Sequence, residues 1–136
     1  MTRYTVLFEP TFHPRVEVEV AFAPEGEWVR IQTEGREERV RLSVEQGVRF
    51  LEAMEALAPE HILDGREGGI DGCTFSCAVS PEWGKRHTFR AWCPGPEKSP
   101  QQHAFISLVH LLALEVTREP TTAALLKQLR GYYGGS

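Results

Sequence analysis

The residues with the greatest capacity for chemistry lie together between positions 71 and 94. This stretch contains the three cysteines of the chain, Cys73, Cys77 and Cys93, together with His87. Thiolates and imidazoles are the usual ligands of zinc, and a thiolate activated by a histidine is a nucleophile. A zinc site and a Cys–His catalytic pair are therefore the two chemistries to consider first.

The spacing of these residues disfavours both chemistries. Cys73 and Cys77 are four residues apart in a strand-like pattern, about 13 Å along a strand, whereas the ligands of a zinc ion lie within about 2.3 Å of the metal. His87 and Cys93 are six residues apart on one strand, so a catalytic histidine would have to come from another element. We expect structural thiols, with no metal, no cofactor and no catalytic residue.

Alternation of residue character across the same stretch predicts a β-hairpin. A Pro-Glu-Trp-Gly-Lys turn separates two arms, each with one apolar face. On that face the first arm carries Cys73, Phe75, Cys77 and Val79, and the return arm carries His87, Phe89, Ala91 and Cys93. If Val79 opposes His87, the first and last cysteines face each other, and a disulfide remains open to them under oxidation.

Five residues combine the types that most often form protein interfaces. Trp83 lies at the tip of the hairpin, and Arg90 and Trp92 lie on the mixed face of its return arm. Tryptophan and arginine are frequent interface hot spots. Glu17 and Glu19 form the polar face of a strand in the first half of the chain, which carries a net charge of −6. We predict a protein interface at these five residues and a basic partner whose association is salt-sensitive.

A second interpretation places a small-molecule site at the same hairpin. Asp71, Arg90 and Trp92 could line a cleft that holds a ligand or a substrate. A small-molecule site needs convergent polar groups in a pocket, whereas a binding module needs an exposed aromatic and charged surface. We expect the binding module.

The remaining sequence predicts the elements that position these residues. Four strand-like segments separated by short turns precede residue 43, and connections this short join antiparallel strands. Together with the hairpin they predict an α+β fold. Its antiparallel sheet has about six strands, a four-strand meander plus the hairpin, and is packed on one face by three helices.

The first helix is predicted between residues 43 and 59. Ser43 and Gln46 form a capping box, and Pro59 ends the helix. The predicted buried stripe repeats at helical spacing and consists of Val44, Val48, Leu51, Met54 and Ala58. Phe50 and Leu57 are predicted to widen it along one edge.

Two further helices are predicted after the hairpin. Ser99 and Gln102 form a second capping box, and the helix runs to about Arg118 with apolar residues around most of its circumference. We expect this helix to be central, packed on the sheet and against a neighbouring helix. Thr121 or Thr122 is predicted to cap the last helix.

Length and composition bound the class of protein. The chain has 136 residues, 41% hydrophobic and 25% charged, which is typical of one globular domain spanning residues 1–136. Its net charge of −4 disfavours nucleic-acid binding, its apolar runs are too short to span a bilayer, and its N-terminus shows no secretory signal. We expect a bacterial cytoplasmic protein that binds another protein or a second copy of itself, and neither nucleic acid nor membrane.

One stretch of the chain resembles a group of bacterial proteins. Residues 68–114 contain Asp71-Gly72, a strand, an aromatic and basic return strand that ends in Trp92-Cys93-Pro94, and a leucine-rich helix. This order resembles small uncharacterised bacterial proteins, some of which look like toxin-neutralising immunity proteins. The resemblance implies a non-enzymatic role and brings no catalytic residues with it. Cys93 departs from the pattern, in which a small polar residue is expected.

Overall fold

In this computed structural model, the described residues 1–65 and 72–133 form a six-stranded antiparallel sheet and three α-helices. The strands are β1 Thr2–Pro10, β2 Val16–Ala23, β3 Gly26–Thr33, β4 Arg36–Arg41, β5 Cys73–Ser80 and β6 His87–Trp92. The helices are α1 Val44–Leu57, α2 Pro100–Val116 and α3 Pro120–Arg130, with a short 3₁₀ helix at Pro59–His61. The predicted α+β fold is confirmed. None of the described helices combines the length and the apolar character needed to cross a membrane.

β1 is the strand that joins the two parts of the sheet. The strand order is β4-β3-β2-β1-β5-β6, so the hairpin of β5 and β6 is added to the meander at β1. Val6 of β1 pairs with Val18 of β2 on one side and with Cys77 of β5 on the other. The pairing continues beyond β1, where the Thr11 N–H donates to the Gly72 carbonyl at 2.8 Å. Both edges of β1 are therefore occupied.

The predicted hairpin forms, and its register is the one that places Cys73 opposite Cys93. Val79 pairs with His87, and the pairing runs in register to Trp92. One position further on, Cys93 lies opposite Cys73, and its N–H donates to the Cys73 carbonyl at 3.1 Å. The predicted apolar face of both arms points to the helices, since alternate residues of the two strands are buried.

The apolar face of the sheet and the helices enclose one hydrophobic core. Alternate residues of β1 and β2 are buried because successive side chains of a strand point to opposite faces. Edge-on aromatic contacts fill the centre, with ring centroids 5.3 Å apart for Phe8 and Phe75 and 5.1 Å apart for Phe89 and Phe105. Burial of a large apolar side chain contributes about 1.5–3 kcal/mol. The three helices therefore pack on the apolar face of the sheet.

The two ends of α1 form as predicted. The Ser43 hydroxyl accepts a hydrogen bond from the Gln46 N–H at 3.1 Å, and the Gln46 side chain accepts one from the Ser43 N–H at 3.0 Å. At the other end Ala58 adopts a left-handed conformation directly before Pro59. These contacts satisfy backbone groups that have no partner inside the helix.

The predicted buried stripe of α1 is wrong at Val44 and Val48, whereas Met54 and the edge residue Phe50 are buried as predicted. The buried residues of the helix are Gly47, Phe50 and Met54. Val44 is instead 78% exposed and Val48 50% exposed. Phe50 sets the rotation of the helix, because its ring stacks on Phe22 of β2 at a centroid distance of 5.9 Å. A buried phenylalanine removes more apolar surface from water than a valine does, so the phenylalanine faces the core.

α2 is the central helix, as predicted, and contacts α1, α3 and strands β1 to β3. Its predicted capping box is wrong, because the Ser99 side chain makes no cap hydrogen bond. The Gln102 side chain instead donates to the Leu63 carbonyl at 2.7 Å and anchors the segment that follows α1. The helix ends at Val116, two residues before the predicted Arg118.

The start of α3 also differs from the prediction. Its N-cap residue is Glu119 rather than Thr121 or Thr122, and Thr122 is buried within the helix. Pro120 takes the first helical position. A backbone N–H at this position would have no acceptor within the helix, so proline loses no hydrogen bond there, and its fixed φ suits helical geometry. The proline therefore sets the start of the helix ahead of the two threonines.

A buried histidine ties α2 to α3 and to the chain that follows it. His110 is fully buried, its Nε2 donates to the Leu126 carbonyl at 2.7 Å, and its Nδ1 accepts a hydrogen bond from the Tyr133 hydroxyl. Burial lowers the pKa of His110 to about 4, although the Leu126 carbonyl raises it, and the charge of Arg130 lowers it further. His110 is therefore neutral at pH 7.

The first prediction is that the folded protein loses stability as the pH is lowered, because His110 resists protonation in the folded state. The unfolded chain binds a proton at the usual pKa of 6.5, whereas the folded chain resists protonation down to about 4. The free energy of unfolding should therefore fall by about 2 kcal/mol between pH 7 and pH 5 through this group. Urea unfolding at the two pH values measures the change. His110→Gln should show a smaller loss over the same range, and equal losses in the two proteins would contradict the prediction.

Candidate functional site

The face of the sheet opposite the helices is uncovered in the described part of the chain, and we call it the open face. It carries the side chains that alternate with core residues along each strand. Among them are Glu17 and Glu19 of β2, Trp28 and Arg30 of β3, Arg39 of β4, and Thr88, Arg90 and Trp92 of β6. Four of the five predicted interface residues, Glu17, Glu19, Arg90 and Trp92, thus share one face.

An ion-pair cluster centred on Arg30 occupies the β2–β3–β4 part of the open face. Arg30 Nη2 lies 3.4 Å from a carboxylate oxygen of Glu19 and 3.6 Å from one of Glu17, and its Nη1 lies 3.4 Å from Glu37. Burial tends to lower the pKa of Arg30, but Glu19 and Glu17 outweigh burial and raise it above its usual value. The two predicted glutamates are therefore not isolated charges, because they share a cation.

Trp28 closes the corner of the open face beside this cluster. It pairs with Ala21, which is fully buried although it lies on the open face. The guanidinium of Arg39 lies 5.0 Å from the centre of the Trp28 ring, within the range of a cation–π contact. The Trp28 indole nitrogen is buried and has no hydrogen-bond partner among the described residues. The Trp28 side chain therefore shields this corner of the sheet, including Ala21, from solvent.

On the opposite side of the open face, the segment after α1 fixes the backbone of Arg90. The Arg90 N–H donates to Asp64 Oδ1 at 2.8 Å, and its carbonyl accepts from the Gly65 N–H at 2.7 Å. His87 Nε2 donates to the Ile62 carbonyl at 2.7 Å and holds the same segment against β6. The edge of β6 is thereby occupied, while the Arg90 side chain stays exposed.

The indole of Trp92 lies against the backbone of Gly72. A Cβ placed at Gly72 would meet Trp92 Cζ2 at 2.7 Å and Cys93 Sγ at 2.6 Å, and Gly72 has a φ of +147°. Only glycine meets both the steric and the conformational requirement at this position. Trp92 and Cys93 also line a surface depression of about 320 Å³, together with residues 95–99. The third residue of the predicted cleft, Asp71, lies outside the described residues.

Mostly small side chains lie between β6 and β2 on the open face. One cross-strand row runs Arg90–Ser76–Leu7–Glu17, and the next runs Thr88–Ala78–Thr5–Glu19. Three strand spacings separate Arg90 from Glu17 by about 14 Å. Ser76, Ala78 and Thr5 are small, whereas Leu7 is a half-buried apolar residue. A partner could therefore approach the sheet closely between Arg90 and Glu17 and contact Leu7.

Trp83 lies at the tip of the hairpin and is 86% exposed. It is not folded back onto the sheet, which distinguishes it from the half-buried Trp28 and Trp92. The neighbouring Glu82 lies 3.9 Å from the amino group of Met1, so the tip is close to the N-terminus. An exposed indole of this kind is an available contact anchor.

The structure contains no disulfide between the three cysteines, which all lie in its described part, and Cys73 and Cys77 are buried in the core. Burial raises the pKa of Cys73 to about 12 and also raises that of Cys77, so both stay protonated at pH 7. Within residues 1–65 and 72–133, no group of three or more His, Cys, Asp or Glu side chains is placed to hold a metal ion. No family model, curated protein or solved structure matches the chain. The geometry of the open face is therefore the basis for a functional assignment.

Sequence reasoning did not single out Arg30 as part of the site. A signal for it exists in the turn at Pro24 and Glu25, which sets Ala23 opposite Gly26. Counting pairs from that turn places Arg30 opposite Glu19. Opposite charges that face each other across two strands attract. Turn position and charge together would thus have shown that the glutamates are paired.

The second prediction concerns the close contact between Gly72 and Trp92. Gly72→Ala should lower the free energy of unfolding by at least about 2 kcal/mol, because the new methyl group clashes and the backbone conformation is strained. Chemical denaturation measures this change. Gly95 has no atom within 4 Å of its Cβ position and no positive φ, so Gly95→Ala is the control and should change stability by less than about 0.5 kcal/mol. Equal effects of the two substitutions would contradict the packing.

The third prediction concerns the contribution of the Arg30 cluster to the free energy of unfolding. Arg30→Met should cost about 1 kcal/mol of stability, since it leaves the poorly exposed Glu19 carboxylate without a cation. Arg36 pairs with Glu119 at 3.6 Å, but both side chains are about half exposed, so Arg36→Met is the control and should have little effect. A double-mutant cycle with Glu19→Gln isolates the pair energy. Additive effects in that cycle would show that the cluster does not stabilise the sheet.

Proposed function

We propose that this protein is a protein-binding module whose docking surface is the open face, extended at one end by Trp83. The observation that carries the proposal is the common placement of Arg90, Trp92, Glu17 and Glu19 on a face that no helix of the described chain covers. Arginine and tryptophan contribute strongly to binding when a partner excludes water from them. A flat face with anchors at its margins suits a folded partner.

The charges of the open face define the complementary surface of the partner. Three carboxylates, of Glu17, Glu19 and Glu37, surround the single guanidinium of Arg30. Arg90 projects from β6, and neither β5 nor β6 carries a carboxylate. The partner would therefore place a basic group over the carboxylates and an acidic group over Arg90. Such a pattern favours fast, salt-sensitive association. It also disfavours partners that would place an acidic group over the carboxylates or a basic group over Arg90.

We further propose a bacterial, cytoplasmic role as an immunity or accessory protein that neutralises its partner. The resemblance of residues 68–114 to small bacterial proteins, some of them immunity-like, supports this role. A neutralising protein acts by covering its target, which needs a broad exposed surface and no catalytic group. A second copy of this chain is the alternative partner, and the experiment below separates the two.

A second candidate function is small-molecule binding beside Trp92. The depression of about 320 Å³ next to Trp92 is large enough for a small ligand. Arg90 projects from the same face of β6, two residues away, and could supply an anion contact. A ligand of this kind would be an aromatic or apolar anion that stacks on the indole. Native mass spectrometry of the protein purified from its source would detect such a ligand.

The fourth prediction tests the docking surface with matched variants. Tagged wild-type protein is used to capture partners from an extract of the source organism, and each captured protein is then purified and titrated by calorimetry. Arg90→Glu and Trp83→Ala should each weaken the measured binding by about 2 kcal/mol, because both side chains are placed as anchors. The affinity of the wild type should also fall at high salt.

The control for this experiment is Lys127→Glu, which makes the same change of charge on the exposed surface of α3. It should bind the captured protein as the wild type does. Trp83→Ala should leave thermal stability nearly unchanged, because its side chain is 86% exposed. A captured protein that binds both Arg90→Glu and Trp83→Ala with wild-type affinity would contradict the proposal. Capture of this chain alone, with a dimer in sedimentation, would assign the face to self-association.

A further inference from the structure

Cys73 and Cys93 form a facing pair at the end of the β5–β6 hairpin. The Cys93 N–H donates to the Cys73 carbonyl at 3.1 Å, and the Cys73 N–H is directed at Cys93 Sγ at 3.3 Å. Residues bonded across antiparallel strands have Cα atoms about 5.5 Å apart, and disulfides span Cα separations of about 4.4–6.8 Å. Cys93 follows the last residue of β6 and has a left-handed backbone with a φ of +42°. The backbone hydrogen bond and the contact of Cys93 Sγ with the Cys73 N–H nevertheless bring the two residues close enough together for a disulfide to be considered.

The two thiols of the pair differ in their access to solvent. Cys93 is partly exposed and lines the depression that also contains Trp92 and Lys98. Cys73 lies beneath it and is only 1% exposed. Burial raises the pKa of Cys73 to about 12, which keeps this second sulfur as a thiol. A small oxidant thus reaches Cys93 first, with a protected thiol directly beside the site of attack.

We propose that Cys93 is an oxidation site for hydroperoxides and that Cys73 is its resolving cysteine. Cys93 gives its proton to solvent, its sulfur attacks one oxygen of hydrogen peroxide, an S–O bond forms and the O–O bond breaks. The leaving hydroxide takes up a proton from solvent and becomes the first water. The Cys73 sulfur then attacks the resulting sulfenic acid, an S–S bond forms, and the S–O bond breaks. The departing hydroxide takes the Cys73 proton and leaves as water. Both sulfurs are oxidised by one equivalent each, and one peroxide is reduced to two waters.

The third cysteine provides an internal comparison. Cys77 lies on the same strand and face as Cys73, four residues further on, and is 2% exposed. Its cross-strand neighbours are Val6 and Phe89 rather than a cysteine. A sulfenic acid at Cys93 is therefore resolved by Cys73, whereas Cys77 should stay a thiol.

The fifth prediction is a specific, reversible disulfide in the native protein. Reduced full-length protein is treated with hydrogen peroxide, free thiols are alkylated, and a non-reducing digest is mapped by mass spectrometry. One intramolecular Cys73–Cys93 link should appear, with loss of two hydrogens in mass and of two of the three alkylatable thiols. Dithiothreitol should restore all three. A link that includes Cys77, a link between two chains, or oxidation seen only after unfolding in urea would overturn the proposal.

Two variants separate the roles of the cysteines. Cys77→Ala should still form the link at the wild-type rate. Cys73→Ala should accumulate a sulfenic acid at Cys93 that dimedone traps, because the resolving thiol is gone. If Cys73→Ala does not fold, the order of reaction is read in the wild type from the rate of native-state alkylation, where Cys93 should react before Cys73 and Cys77. Faster alkylation of Cys77 than of Cys93 would refute the assignment.

Discussion

The structure depends on the burial of only one face of its sheet. Alternation in β1, β2 and β5 places most of the apolar side chains of these strands on one side of the sheet, and the helices pack on that side. α2 is apolar around most of its circumference, so it needs the sheet below and neighbours beside it. The open face must then be stable in water, and it achieves this with small side chains and with the charges around Arg30. The proposed docking surface is thus a product of the same pattern that builds the core.

Several parts of the fold could be predicted because they rest on local signals. The turn between β5 and β6 and the alternation of its arms predict the hairpin, in which Val79 pairs with His87. The first capping box also forms as its sequence indicates. The attachment of the hairpin to β1 was not predicted, since long-range pairing leaves little trace in a single sequence. The charged β4, with the sequence REERVR, does carry the mark of a protected edge strand.

The errors in the helices have one common physical cause, which is that contacts with other parts of the fold override the local sequence signal. α1 carries two apolar stripes, and the choice between them depends on how Phe50 packs against Phe22, which helical spacing does not encode. The Gln102 side chain fits a capping box by sequence, but the Leu63 carbonyl competes for it in the folded protein. For the site, residue types and faces were predictable from alternation, whereas the sharing of Arg30 between Glu17 and Glu19 depends on the register of β2 and β3.

The position of β1 has a consequence for how the chain folds during synthesis. β1 leaves the ribosome first, and the meander can form on one of its edges as soon as β2 and β3 emerge. Its other edge stays unpaired until β5 has been synthesised. The pair that extends the β1–β5 ladder, Thr11 and Gly72, is separated by 61 residues in the sequence. Until then the nascent chain exposes an apolar sheet face beside an unpaired strand edge, which is a template for association with other chains. Pairing of β5 with β1 covers this edge and removes the hazard.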